Sequence, residues 1–153
     1  MDLFIAIFQG IIIASTPLVL AAIGELVVEK SGVLNLGVEG MMIIGAVTSF
    51  IVTYETGSHF LGLIAAVISA GLVASLFGLL TQYLLSNQVA TGLALTLFGL
   101  GLASLIGQTY SGISLDAFPV FDVYLLTEIP ILGSLLFNFD YLIYLSITSI
   151  FYT

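Results

Sequence analysis

The chain has 153 residues, of which 60% are apolar and only 7% charged. A soluble domain carries about 25% charged residues and a disordered chain couples low hydrophobicity with high charge, so an integral membrane protein remains. One Lys against nine acids gives a net charge of −8, which leaves no basic footprint for nucleic acid and no polybasic anchor for a lipid surface. With no Cys and a single His, no thiolate or multi-His metal site can be built, and no cofactor is expected.

The first apolar run is Leu3 to Ile23. At about 1.5 Å per residue it reaches about 30 Å, one hydrocarbon thickness. Pro17 lies inside it; helix prolines are tolerated in membrane bundles where neighbours satisfy the freed carbonyl. The start Met1-Asp2-Leu3-Phe4 lacks the basic opening of a secretory leader, so this run is read as a retained span.

A polar island follows from Gly24 to Gly40, with Glu25, Glu29, Glu39, Lys30, Asn35 and four glycines. The second run starts inside it, from about Val33 to Tyr54, and ends at the turn Glu55–His59. The third run is Phe60 to Leu85, the break is Ser86-Asn87-Gln88, and the fourth run is Val89 to Gly107. Gln108 to Pro130 changes character, with Asp116, Asp122, Glu128 and two prolines, and reads as an exposed loop. Ile131 to Phe139 is too short to span. Tyr141 to Thr153 reads as the opening of a fifth helix, short of the roughly 20 residues a span needs. The expectation is an all-α, polytopic transmembrane helix bundle: four full spans, the start of a fifth, and a broken, Gly-rich segment near the start of span 2. One transmembrane domain is expected, 1–153, truncated at its C-terminus.

Small residues recur at helical spacing: Ala66, Ala70, Ala74 and Gly78 on the third run, Gly99, Ala103 and Gly107 on the fourth. Such stripes let helices approach closely in lipid. Lys30 favours a cytoplasmic place for the first connection. Counting spans then puts the Glu55–His59 turn outside, Ser86–Gln88 inside and Gln108–Pro130 outside.

Glu39 opens a hydrophobic span, where an ionisable group costs a few kcal/mol or more unless it faces a bundle interior, a cavity or a partner. Asn35 lies four residues earlier, on the same face if the segment is helical. Gly37 and Gly40 lower the cost of irregular backbone, which at membrane depth survives only where protein buries it or water lines it. Transporters present such broken helices to substrate. Asn35, Gly37, Glu39 and Gly40 are therefore candidate pathway residues. The other reading is an ordinary cytoplasmic turn with Glu39 set against the dipole of the second helix. Glu25 and Glu29 read either as a carboxylate pair on one face or as solvated loop acids. His59 reads as a loop residue, and Asn87, Gln88 and Thr91 as caps of the fourth helix or as polar groups on a path. No GxxxxGK[ST] or GxGxxG segment is present, so ATP hydrolysis, where it drives the process, belongs to another chain.

GELVVEKSGVLNLGVEGMMIIGA, from Gly24 to Ala46, resembles the signature segment of ABC-importer permeases of the nucleoside and simple-sugar branch, relatives of the ribose permease. Thr16-Pro17-Leu18-Val19-Leu20-Ala21-Ala22 is similar to the family's entry into that segment. Asn87-Gln88-Val89-Ala90-Thr91-Gly92-Leu93-Ala94-Leu95-Thr96-Leu97 is similar to its next block. The resemblance runs from the first helix to Gly112. It implies a non-enzymatic, multi-pass permease of a bacterial or archaeal cytoplasmic membrane that moves nucleosides or simple sugars. It also implies a cytoplasmic ATP-binding subunit, a second permease subunit and an extracytoplasmic substrate-binding protein. In the family the signature stretch contributes to the translocation pathway, which again singles out Asn35, Gly37, Glu39 and Gly40. Family members are about twice this long, and their basic docking loop lies beyond Thr153, so the chain reads as an N-terminal half. The alternative to an ABC permease is an ion-coupled secondary transporter using Glu25, Glu29 and Glu39.

Overall fold

The computed structural model describes residues 2–116 and 139–151. All five extended elements in them are α-helices: α1 (Asp2–Lys30), α2 (Val38–Thr56), α3 (His59–Gly78), α4 (Gln88–Gly107) and α5 (Tyr141–Ile150). Four helical stretches are long and apolar enough to cross a membrane: Leu3–Lys30, Val38–Thr56, His59–Tyr83 and Gln88–Tyr110. The expected spans are thus observed, with shifted ends. The loop expected at Gln108–Pro130 and the segment Ile131–Phe139 lie largely outside the described residues.

The chain divides into two compact units, 1–26 with 117–153 and 27–116. In the first, α1 continues as a helix through Pro17. The hydroxyls of Ser15 and Thr16 both donate to Ile12 O, at 3.0 and 2.9 Å, one residue before the Ile13 carbonyl that Pro17 leaves without an N–H donor. Asp140 caps α5, its Oδ1 accepting from Ile143 N at 3.1 Å, and Ile143 and Ser146 are buried.

The second unit is built around α2, which packs against both α3 and α4. Its buried apolar cluster is Met41, Ile44, Val73, Phe77 and Leu95. Most other large apolar side chains point outward, among them Val67, Leu72, Leu97 and Leu105. Water would penalise such a surface; lipid does not. With lipid as apolar as leucine, the helices are held by close packing and polar contacts instead. On the α2–α3 side, Gly45 meets Ala66 and Ala70, and Thr48 Oγ1 and Ser69 Oγ share a 2.6 Å hydrogen bond. Ala74 and Gly78 continue the same stripe but lie outside this contact: Ala74 is exposed and Gly78 has open space beside it.

The α2–α4 side is tighter. A Cβ on Gly99 would stand 2.6 Å from both Cα and O of Gly40, and one on Gly40 would stand 2.6 Å from Leu95 O. Backbone meets backbone at this crossing, so no side chain can yield. Ala103 is buried and Gly107 faces Val47 on the same side. At the far end Tyr110 packs edge-on against Tyr54, with centroids 5.7 Å apart, and donates to Glu55 Oε1 at 2.8 Å. Contacts of Gly40 with Gly99 at one end and Tyr54 with Tyr110 at the other make α2 and α4 parallel neighbours.

Glycine at 99 is therefore a packing requirement. Gly99→Ala is expected to lower the detergent-solubilised protein's stability by about 1–3 kcal/mol, the usual overpacking cost, seen as a fall in Tm. Gly71→Ala, where nothing lies within 4 Å, is expected to leave Tm unchanged or slightly raised.

Candidate functional site

The polar island resolves into a helix end, an unwound stretch and a helix start. α1 runs on to Lys30 rather than fading at Ile23, so Glu25 and Glu29 sit on its last turns and not in a loop. The helix stops in a Schellman arrangement: Gly32 N donates to Glu29 O at 2.8 Å, and Val33 N to Val28 O at 3.4 Å. Gly32 takes φ +82°, the left-handed conformation that this ending needs and that glycine adopts without strain.

α2 then begins at Val38, five residues later than the apolar run suggests. Local hydrogen bonding decides this. Asn35 Oδ1 accepts from Gly37 N at 2.9 Å, an Asx turn that competes with helix. Asn35 Nδ2 contacts Met41 Sδ at 3.6 Å. Asn35 and Gly37 are buried, whereas Glu39 is exposed in the first turn of α2. The expected shared helix face of Asn35 and Glu39 is thus not formed, because Asn35 precedes the helix. Gly40 is buried in the α2–α4 crossing.

The unwound stretch is held from α4. Leu34 N donates to Gln88 Oε1 at 2.9 Å, and Thr96 Oγ1 donates to Leu36 O at 2.9 Å. Between them Gly92 offers no side chain: a Cβ there would stand 2.9 Å from the backbone N of both Leu36 and Gly37. Asn87 is the cap, its Oδ1 accepting from Ala90 N at 3.0 Å. Gln88 is not a cap but a clamp. Thr91 Oγ1 pairs with Ser86 Oγ at 2.8 Å. Gln88, expected as a cap or a polar group on a path, instead holds Leu34, and Thr96, whose partner is 60 residues away, carries no signal in the local sequence.

The preceding connection is also irregular. α3 passes into a π turn, Leu79–Tyr83, and Leu85 takes φ +52°, uncommon for a branched residue. Leu80 O accepts from both the N and Oγ of Ser86, at 3.1 and 2.8 Å, which fixes the approach to Gln88. No group of three or more potential metal ligands occurs among the described residues.

A helix break that a neighbouring helix clamps, in a chain with four membrane-length helices, is a feature of transport proteins. Residues 7–152 match the family described as the permease component of a branched-chain amino acid transport system. The chain belongs to this permease family. It is 38% identical over 147 residues to a Haloferax volcanii protein named as a glucose ABC transporter permease, covering 91% of the chain and 44% of that relative. It is 30% identical to the guanosine ABC transporter permease of Bacillus subtilis, covering 94% and 48%, and 28% identical to a nucleoside ABC transporter permease of Lactococcus lactis, covering 86% and 45%. The chain spans less than half the length of these relatives. No solved structure matches it.

The clamp should be measurable apart from transport. Thr96→Val is expected to remove about 1 kcal/mol by freeing Leu36 O, speeding amide exchange across 33–37 by about fivefold, and Thr96→Ser to restore the slow rate. Equal exchange in all three would show that the hydroxyl does not hold the segment.

Proposed function

We propose that this chain forms part of the membrane-spanning permease of an ATP-driven importer, and that the solute is a nucleoside or simple sugar. ATP is hydrolysed on a separate cytoplasmic subunit. A second permease subunit completes the pathway and an extracytoplasmic binding protein delivers solute. The positive charge of Lys30 favours the cytoplasmic side for the α1–α2 connection. The observation that carries the reading is the family match across residues 7–152, and the printed names of the relatives supply the solute class.

Within that reading, Asn35, Gly37, Glu39 and Gly40 form the broken entry to α2 on the solute path. Their roles differ. Glu39 is the exposed group that meets the path, and Asn35 shapes the backbone that presents it. Gly37 and Gly40 let α4 close on that backbone.

The test is uptake of radiolabelled guanosine and glucose by vesicles holding the complete permease with its partners. Replacing the ATP-hydrolysing glutamate of the ATPase subunit is expected to abolish uptake. An uncoupler at constant ATP is expected to leave it intact; the reverse pattern would establish ion coupling instead. Glu39→Gln and Asn35→Ala are expected to cut uptake by about tenfold, or about 1.4 kcal/mol in barrier, with normal insertion. Normal uptake by both variants would remove these residues from the path.

A further inference from the structure

A groove of about 830 Å³ lies along one side of the α2–α4 pair, away from the buried Asn35. Its volume falls within the roughly 300–1,000 Å³ of small-molecule sites. Ile43 and Val47 of α2 form one wall, and Leu100, Ser104 and Gln108 the other, with Ser111 at the end. Glu39, Ile43 and Val47 follow one another at four-residue spacing, so Glu39 shares the side of α2 that lines the groove without itself lining it.

The polar side chains make this groove unlike a lipid-facing surface. In a membrane-spanning helix polar groups face an interior, a cavity or a partner. Hydroxyls in these helices commonly turn back on their own helix, whether exposed, as Ser75 to Gly71 O at 2.8 Å, or buried, as Thr81 to Phe77 O at 2.8 Å. Ser104 makes no such return, and neither it nor Gln108 has a side-chain hydrogen bond among the described residues. Both are exposed. The lining holds no charged residue, so it suits a neutral solute. Ile43, Val47 and Leu100 offer a flat apolar wall, while Ser104, Gln108 and Ser111 offer donors and acceptors beside it.

We propose that this groove is a solute-binding segment of the pathway, in which Ser104 and Gln108 hydrogen-bond a neutral, hydroxyl-bearing ring such as a sugar or the ribose of a nucleoside. The assignment rests on the permease reading and adds residues to it. It places the solute contacts in the half of the membrane remote from Lys30, with the exposed Glu39 toward the opposite end.

The chain contains no Cys, which permits a direct test in the complete permease reconstituted with its partners. Ser104→Cys and Gln108→Cys are treated with a water-soluble methanethiosulfonate, and modification is read by mass spectrometry on the peptide that carries the new thiol. Ser75→Cys on α3, outside the groove and with its native hydroxyl bonded to its own helix, is the control. Ser104→Cys and Gln108→Cys are expected to react at least about tenfold faster than the control, because apolar surroundings raise a thiol's pKa and deplete its reactive thiolate. Guanosine or glucose, whichever is taken up, is expected to slow both by about tenfold at ten times its Kd, since labelling needs the empty site. An unreactive Ser104→Cys with uptake intact would mean that another helix or lipid fills the groove, and would overturn the proposal while leaving the permease reading in place. Reaction without protection by solute would overturn it equally. Absence of ATP-dependent uptake in the unsubstituted protein would count against the permease reading alone.

Discussion

The arrangement depends on one constraint: backbone that leaves the helix near a membrane must find hydrogen-bond partners in protein, because lipid supplies none. Between Gly32 and Val38 the chain is unwound, and several of its backbone polar groups find partners in protein. The Schellman turn uses the carbonyls of Val28 and Glu29. The Asn35 side chain takes Gly37 N. Gln88 takes Leu34 N and Thr96 takes Leu36 O. Two of these partners come from α4, so the break is stable only while α4 lies directly against it. That closeness in turn requires glycine at 92 and 99 on α4 and at 40 on α2. The polar clamp and the glycine contact are therefore one device: the first needs the approach that the second permits.

α2 is the pivot because both of its packed sides carry small residues. Gly45 receives Ala66 and Ala70 of α3, and Gly40 receives Leu95, Thr96 and Gly99 of α4. Apolar burial adds little to helix association in lipid, which accounts for so small a cluster, five side chains, beneath so much outward-facing leucine and valine. Hydroxyls divide accordingly. Thr96 reaches across to another element, Thr48 and Ser69 bond both each other and their own helices, Ser15 and Ser75 fold back on their own helix alone, and Ser104 does none of these.

The spans were legible because membrane thickness sets their length and composition sets their solvent. Four apolar runs separated by short polar breaks gave four crossing helices within a few residues. The ends were less legible. Glu25, Glu29 and Lys30 lower mean hydropathy without breaking a helix, so α1 outruns its apolar run by seven residues. Val33, Leu34 and Leu36 are apolar without being helical, so α2 starts later than hydropathy places it. In both cases the deciding signal was a capping or turn residue, Gly32 and Asn35, rather than an average over a window.

The candidate site divides in the same way. Its residues stood out because Asn, Glu and glycines at the mouth of a span are costly unless used. What each does was hidden, because the burial of Asn35 and Glu39 is set by a local turn together with tertiary contact. A helical spacing of four would have put them on one face; the Asx turn at Gly37 separates them, turning Asn35 inward and leaving Glu39 exposed. Thr96 was harder still. A threonine inside an apolar run usually bonds its own helix, and nothing local distinguishes one that reaches a carbonyl 60 residues earlier. Its one trace is position: Gly92, Thr96, Gly99 and Ala103 share a helical face, and a hydroxyl on the face that closes against unwound backbone is where a carbonyl will need it.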